Sequence, residues 1–425
     1  MFSISPSIRI VSGYKCCIIY DSDNKKVYEI NKDLGRLILK TKKFSSFEQF
    51  RGICQNSLQH IYSEKLNINS IISKIRAHNI YILETQRALK PEFKFDIVPP
   101  EKPHRSKIEI TSSCNLRCQY CYAYTNAQNC QIPKQKVVDI IKELSDLGVK
   151  HIEFTGGEPL LNTNLRDYIK YALSCLMKVR VATNGTLLNN DIINFLMSNN
   201  VQVQVSLHET LQHFLQKCDR KDMLNSTVVK NIQEIAKLKP ELLSITHTVA
   251  KDSIDSIDDF IAYAKKLNIK VILGRPFKVG RATKNWDSVK ASCCEISSQC
   301  FVEDTECKQI SFRSTPCNVD SINILYNGDV STCVLLRDGN AIIGNIYKST
   351  LPNIWKSDKR KYMSSVQVDN IPICSSCEHK YICGGGCMAG SYSLVGKVGE
   401  PFPYCNFQKE KVKKYYNEKY KTTDI

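Results

Sequence analysis

Between residues 106 and 274 the chain switches repeatedly between two hydrophobic rhythms. Short β-rich runs occur at Ser106–Thr111, His151–Thr155, Lys178–Thr183, Gln202–Leu207, Ser244–Val249 and Lys270–Gly274. Between them, segments near Lys134–Leu147, Leu165–Leu176, Asn189–Asn199, Ser226–Leu238 and Ser253–Leu267 carry apolar residues at helical spacing. Strands alternating with helices predict parallel pairing through right-handed crossovers. Six such units predict an α/β core built as a partial, TIM-like (β/α)6 barrel. In that architecture the chemistry sits on loops at the C-terminal ends of the strands.

The rhythm is absent on either side. Lys15–Tyr20 and Lys26–Ile30 flank the turn Asp21-Ser-Asp-Asn24 and predict a β-hairpin. Helical patterns follow at Lys32–Lys40, Ser46–Gln55 and Ile68–His78, then a short strand at Ile80–Leu83. Pro91, Pro99, Pro100 and Pro103 mark a linker. Past Gly274 the periodicity stops and cysteines become dense. The expected division is an N-terminal domain over 1–90, a linker over 91–105, the barrel over 106–290 and a cysteine-rich domain over 291–425, consistent with a chain of 425 residues.

Bulk properties narrow the classes. No apolar run approaches the length of a membrane span. Met-Phe-Ser-Ile-Ser-Pro at the start shows no basic-then-apolar secretory pattern. Twenty cysteines in a chain without such a pattern read as metal ligands in a reducing compartment, which points to the cytoplasm. A net charge of +17 favours an acidic partner, such as an acidic peptide, a nucleic acid or a reduced electron-donor protein. No basic run interleaved with aromatics is visible, so nucleic acid is not the expected partner.

The informative cysteines begin just after the first barrel strand, at Cys114-Asn-Leu-Arg-Cys118-Gln-Tyr-Cys121. A four-iron cluster takes four thiolates. Three thiolates in one tight loop leave one iron open to a small molecule. A zinc knot or scattered buried cysteines would be the alternative, but zinc motifs usually pair two Cys/His dyads. The spacing resembles the radical S-adenosylmethionine (SAM) enzymes, whose CxxxCxxC signature has an aromatic residue before its last cysteine, here Tyr120. The resemblance implies that the open iron binds SAM, and that an electron from the cluster cleaves it to a 5′-deoxyadenosyl radical that abstracts hydrogen. It also implies roles for residues at later strand ends. Gly156-Gly157-Glu158-Pro159 matches the family's GGEP motif, which holds the SAM amino group. Asn184 in Thr183-Asn-Gly185 and Ser206 at the end of the fourth strand become SAM contacts, and Arg220 a partner for its carboxylate. Where relatives often have Asp-Gly after that serine, this chain has Leu207-His208-Glu209, which leaves His208 and Glu209 for substrate-specific roles.

The C-terminal cysteines follow C-x10-G-x4-C from Cys317 through Gly328 to Cys333, then C-x2-C-x5-C-x3-C-x17-C from Cys374 to Cys405. This is similar to the seven-cysteine SPASM extension, which binds two auxiliary four-iron clusters. The resemblance assigns Cys317, Cys333 and Cys387 to the first and Cys374, Cys377, Cys383 and Cys405 to the second. Cys307 is the leading further ligand of the first, ahead of Cys300, Cys294 and Cys293. The N-terminal hairpin and helices resemble the winged-helix-like domain that captures leader peptides, and Ile18-Ile-Tyr-Asp21 with Val27–Leu34 resembles the start of grasp-with-spasm peptide maturases. Together these imply a radical SAM peptide maturase with three four-iron clusters. It would form a thioether, carbon–carbon or ether crosslink in a ribosomal precursor peptide, with a flavodoxin- or ferredoxin-type electron donor and an ATP-grasp enzyme in its pathway. The alternatives are a formylglycine-generating enzyme like the anaerobic sulfatase maturases, an RNA-modifying enzyme and an inactive peptide-binding scaffold. The sulfatase maturases have an Asp after the second array cysteine, where this chain has Val334.

Overall fold

The computed structural model describes residues 1–5, 8–12, 16–21, 26–41, 43–58, 67–78, 80–83, 100–125, 130–207, 223–251, 253–254, 257–290, 320–377 and 380–406. Six strands form the expected parallel set: β7 (Arg105–Thr111), β8 (His151–Gly156), β9 (Lys178–Thr183), β10 (Gln202–Ser206), β11 (Leu243–Thr248) and β12 (Lys270–Gly274). Helices at Lys134–Asp146, Leu165–Ser174, Asn190–Ser198, Met223–Leu238 and Ile257–Lys266 connect them. Each boundary lies within a few residues of the sequence expectation.

Alternation along these strands decides which side chains face which layer. Ile108, Ile110, Ile152, Phe154, Val179, Val181, Val203, Val205 and Ile245 are buried in one core with the covering helices. The residues between them are polar: Lys107, Glu109, Glu153, Arg180, Gln202, Gln204 and Thr246. Parallel strands buried on both faces are usually apolar throughout. The second face of this sheet is therefore built for polar groups. Glu153 is bridged there by Lys107 at 2.8 Å and Arg180 at 3.5 Å, and Arg180 also donates to Gln202.

Three C-terminal strands extend the same sheet. Strand β13 (Asn323–Ile324) pairs parallel to β7, with Ile324 opposite Ile108, and β14 (Asp329–Ser331) and β15 (Ile342–Asn345) continue it antiparallel. Nine strands result, in the order β12-β11-β10-β9-β8-β7-β13-β14-β15. The barrel helices and the C-terminal residues Ile354, Trp355, Met388 and Ala389 share one core. Trp355 Nε1 and Arg360 Nη2 donate to the carbonyls of Glu101 and Pro100, which fastens the approach to β7.

The N-terminal segment has its own core, including Ile19, Phe44, Phe50, Cys54 and Tyr81. The expected hairpin is present as β3 (Cys16–Asp21) and β4 (Lys26–Asn31), with Asp21 opposite Lys26. Strand β2 (Ile8–Ser12) makes it a three-stranded meander. A second small sheet joins β1 (Phe2–Ile4), β5 (Lys43–Phe44) and β6 (Tyr81–Leu83). Helices α1 (Lys32–Lys40), α2 (Phe47–Leu58) and α3 (Ile68–Ala77) fall where the pattern places them. Among the described residues, no helix is long and apolar enough to cross a membrane.

Candidate iron–sulfur and SAM site

The first cysteine loop leaves β7 at its C-terminal end, over the mouth of the sheet. Its stem is held by Ser112 N–H to the Cys130 carbonyl at 2.8 Å and Cys130 N–H to Ser112 Oγ at 2.9 Å. Within the loop, Cys114 Sγ accepts from Leu116 N–H at 3.4 Å, and Cys121 Sγ lies 3.5 Å from Thr125 Oγ1. The three thiols form no disulfide and lie within electrostatic reach of one another. Burial, with Cys121 and Cys114 close by, pushes the Cys118 thiol up to about 11. Burial also raises Cys114, opposed by the Leu116 N–H and reinforced by Glu158 and Cys121. Mutual repulsion of this kind is what a metal cluster relieves, because ligation replaces protons. Three thiolates on one loop are a donor set suited to a cluster with three protein ligands, although no group of three or more such side chains among the described residues is placed to hold a single metal ion.

The glycine pair has a local cause. Gly156 has φ +132°, and a Cβ on it would stand 2.2 Å from the Thr111 carbonyl oxygen. A Cβ on Gly157 would stand 2.0 Å from that of Ser113. The backbone N–H groups of Gly157 and Glu158 donate to those same two carbonyls, each at 2.8 Å. So the two glycines admit the stem of the cysteine loop.

Glu158 is fully buried and ties three elements together. Its Oε1 accepts from Thr183 Oγ1 at 2.7 Å and Leu160 N–H at 3.0 Å, and its Oε2 accepts from Asn184 N–H at 2.8 Å. Burial raises its carboxyl above the usual range despite these donors. Asn184 reaches the loop itself, donating from Nδ2 to Asn115 Oδ1 at 2.8 Å and lying 4.0 Å from Cys114 Sγ. Asn115 in turn donates to Thr186 Oγ1. Glu158, Asn184 and Cys114 thus form one connected cluster at the strand ends. Tyr120 is half-buried beside Cys121, and Ser206 is half-buried at the end of β10. Arg220, His208 and Glu209 lie outside the described residues, as do Cys307, Cys317, Cys300, Cys294 and Cys293.

The C-terminal cysteines gather in two groups. The Cys333 thiol, raised by burial, also feels Cys387. The Cys383 thiol, raised by burial, feels Cys405 and Cys377. Cys374 is buried, and its carbonyl accepts from Cys377 N–H at 2.9 Å. Gly384, Gly385 and Gly386 all take positive φ, so the chain coils between Cys383 and Cys387 through the left-handed region that glycine tolerates. Gly328 has φ +86° at the β13–β14 turn, where its N–H donates to the Leu325 carbonyl.

Two further features escaped the sequence reading. Glu109, fully buried on β7, is held by Arg337 through Nη1 at 2.5 Å and Nη2 at 2.9 Å. Arg337 also donates to the carbonyls of Val334 and Ala123, so it touches both the Cys333 loop and the chain just past Cys121. The segment Gly280–Asn285 lies against the first cysteine loop from the other side. Neither feature has a spacing signature, because each joins residues over 150 positions apart.

Comparison with known proteins follows the same division. The Radical SAM superfamily matches residues 108–272 and SPASM, an iron–sulfur cluster-binding domain, matches residues 317–378. Mycofactocin maturase MftC of Mycolicibacterium smegmatis is 23% identical over 320 residues, covering 70% of this chain and 81% of that protein. GTP 3',8-cyclase of Helicobacter pylori is 31% identical over 171 residues, covering 39% of this chain and 53% of that enzyme. Among solved structures, Streptococcus suis SuiB bound to S-adenosylmethionine has a TM-score of 0.53 at 16% identity, covering 95% of this chain and 99% of SuiB. Native anSMEcpe with bound AdoMet has a TM-score of 0.55 at 17% identity, covering 74% of this chain and 98% of anSMEcpe. These structural likenesses establish a shared fold.

Proposed function

We propose that this chain, a radical SAM enzyme with a C-terminal SPASM domain, matures a ribosomally made precursor peptide by forming an intramolecular crosslink. The observation that carries the reading is the sorting of its described thiols: Cys114, Cys118 and Cys121 in one group, Cys333 with Cys387 in a second, and Cys377, Cys383 and Cys405 in a third. That sorting supports one SAM-binding cluster and two auxiliary clusters, for which Cys374, Cys317 and Cys307 would complete the ligand sets. When bound, the SAM-ligated cluster supplies a 5′-deoxyadenosyl radical. The protein's part is to bind, orient and exclude water. Glu158 already accepts three hydrogen bonds, and a carboxylate offers about four acceptor sites, which leaves capacity for one ammonium N–H. Asn184, Ser206, Gly156, Gly157 and Tyr120 would line the same pocket, with Arg220 for the SAM carboxylate.

The peptide substrate is supported by the likeness of SuiB, which has been crystallised with its precursor peptide SuiA and covers 95% of this chain. Residues 1–90 would form the leader-binding domain, with a leader adding a strand at a sheet edge. A flavodoxin- or ferredoxin-type donor would reduce the clusters in the cytoplasm, and an ATP-grasp enzyme would act on the same peptide. A formylglycine-generating role is less well supported, since Val334 is a buried apolar residue where that chemistry has an acid–base group.

Two measurements test this. Anaerobically reconstituted protein should hold about twelve irons per chain, four per cluster. A Cys114/Cys118/Cys121 triple-alanine variant should hold about eight by the same count. Loss of all iron in that variant, or persistent zinc, would end the three-cluster reading. Removal of residues 1–90 should abolish binding of a leader peptide while SAM cleavage persists, and unchanged peptide affinity would end the leader-domain reading.

A further inference from the structure

We propose that Gly280 and Arg281, on the segment that follows β12, are positioning residues for the SAM-cluster loop, and that Arg281 sets the reduction potential of that cluster through its charge. The inference rests on the iron–sulfur reading above, and adds residues that lie outside the cysteine, GGEP and SPASM motifs.

The contacts are dense and go mainly to the loop's backbone. Arg281 N–H donates to the Cys121 carbonyl at 2.8 Å. Its Nη1 donates to the Cys118 carbonyl at 2.8 Å and its Nη2 to the Thr125 carbonyl at 2.7 Å. Asn285 Nδ2 adds the Gln119 carbonyl at 3.3 Å and returns to the Arg281 carbonyl at 3.2 Å. Donors from one short segment thus hold carbonyls on both sides of Cys121. The approach is so close that a Cβ on Gly280, at φ +62°, would stand 2.4 Å from the Tyr122 carbonyl oxygen and 2.6 Å from that of Cys121. No other residue fits there without moving the loop.

The fork is specific to arginine. A planar guanidinium serves two carbonyls at fixed separation, whereas an ammonium is a single point donor. The charge acts separately from the fork. The guanidinium sits on the Cys118 carbonyl, so its positive charge lies beside the cysteine loop. A cluster gains negative charge on reduction, so the same cation favours the reduced state and holds the potential up. Residues that orient metal ligands typically account for 10–100-fold in metal affinity.

The test uses the full chain, reconstituted anaerobically, as wild type, Arg281→Lys and Arg281→Gln. Readouts are the rate at which a chelator strips the SAM-responsive paramagnetic signal and the midpoint potential of that signal. Arg281→Gln should be stripped about 10–100-fold faster, with its potential shifted negative. Arg281→Lys should show the faster stripping with a potential close to wild type, which separates fork from charge. Wild-type behaviour of Arg281→Gln in both readouts overturns the inference, and wild-type stripping of Arg281→Lys overturns the positioning role. Should Arg281→Gln fail to fold by circular dichroism, Arg281→Lys and Asn285→Ala decide the positioning role by the same stripping assay. Absence of any SAM-responsive signal in the wild type would instead be a failure of the iron–sulfur reading.

Discussion

Glu109→Leu should destabilise the protein by about 3–5 kcal/mol, the usual cost of removing one partner of a buried ion pair. The structure places this pair at the upper end of that range. Glu109 is 0% exposed and the Arg337 side chain 10%. The two contacts are parallel, and Tyr326 N–H adds a third donor to the carboxylate at 3.3 Å. Without the carboxylate, the guanidinium would keep the Val334 and Ala123 carbonyls and the Tyr122 and Tyr326 rings, but no negative charge among the contacts described. The second variant, Glu109→Leu with Arg337→Met, removes both charges and should recover most of the loss, since apolar replacement of a buried pair is often neutral or better. The coupling in the double-mutant cycle is therefore expected at about 3 kcal/mol or more. Urea unfolding followed by tryptophan fluorescence measures it, because Trp355 is buried in the shared core and the chain has two tryptophans. A single-variant cost under about 1 kcal/mol, typical of exposed pairs, would refute the reasoning. So would additive costs in the double variant. Because the pair joins β7 to the Cys333 loop, the single variant should also loosen the iron bound by the auxiliary thiols before the barrel unfolds.

Three more outcomes follow from local geometry. Gly157→Ala forces its Cβ against the Ser113 carbonyl, so the variant should lose about the iron of one cluster in three and its SAM binding; iron content and equilibrium dialysis check this, and wild-type values would refute it. Thr183→Val removes a buried donor to Glu158 and should cost about 1–3 kcal/mol in urea unfolding, with weakened SAM binding; an unchanged midpoint would show that Glu158 does not depend on it. Burial raises the Cys54 thiol from 9.0 to about 11, so its stabilising neutral state is fully present below about pH 9 and lost as pH rises through about 11. That amounts to about 2–3 kcal/mol at 1.36 kcal/mol per pH unit, and Cys54→Ala should flatten the alkaline loss of the N-terminal segment's melting temperature; a slope as steep as wild type would refute the assignment.

Local rules carried the sequence reading far in the barrel and less far at its edges. The strands Lys178–Thr183 and Lys270–Gly274 emerge with the bounds the pattern gives, because the first alternates apolar and polar positions and the second is a short apolar run closed by Gly274. Strands β13 to β15 could not be read that way. They are two to four residues long, and they join the sheet only because β13 pairs with β7, more than two hundred residues earlier, and β14 and β15 follow on from it. The same distinction holds at the site. Cysteine spacing is local and survives in sequence, whereas the guanidinium groups of Arg281 and Arg337 act on loops that are remote in the chain. Gly156-Gly157 shows the limit most clearly. From sequence, the pair is the start of a motif whose resemblance implies SAM binding. In the structure the crowding atoms are the carbonyls of Thr111 and Ser113, the stem of the cysteine loop itself. The glycines therefore act on the site indirectly, by letting the strand that carries Glu158 hydrogen-bond to the stem of the loop that carries Cys114. A motif that looks like two separate binding elements is physically one joint. A substitution in either half should accordingly impair both cluster retention and SAM binding.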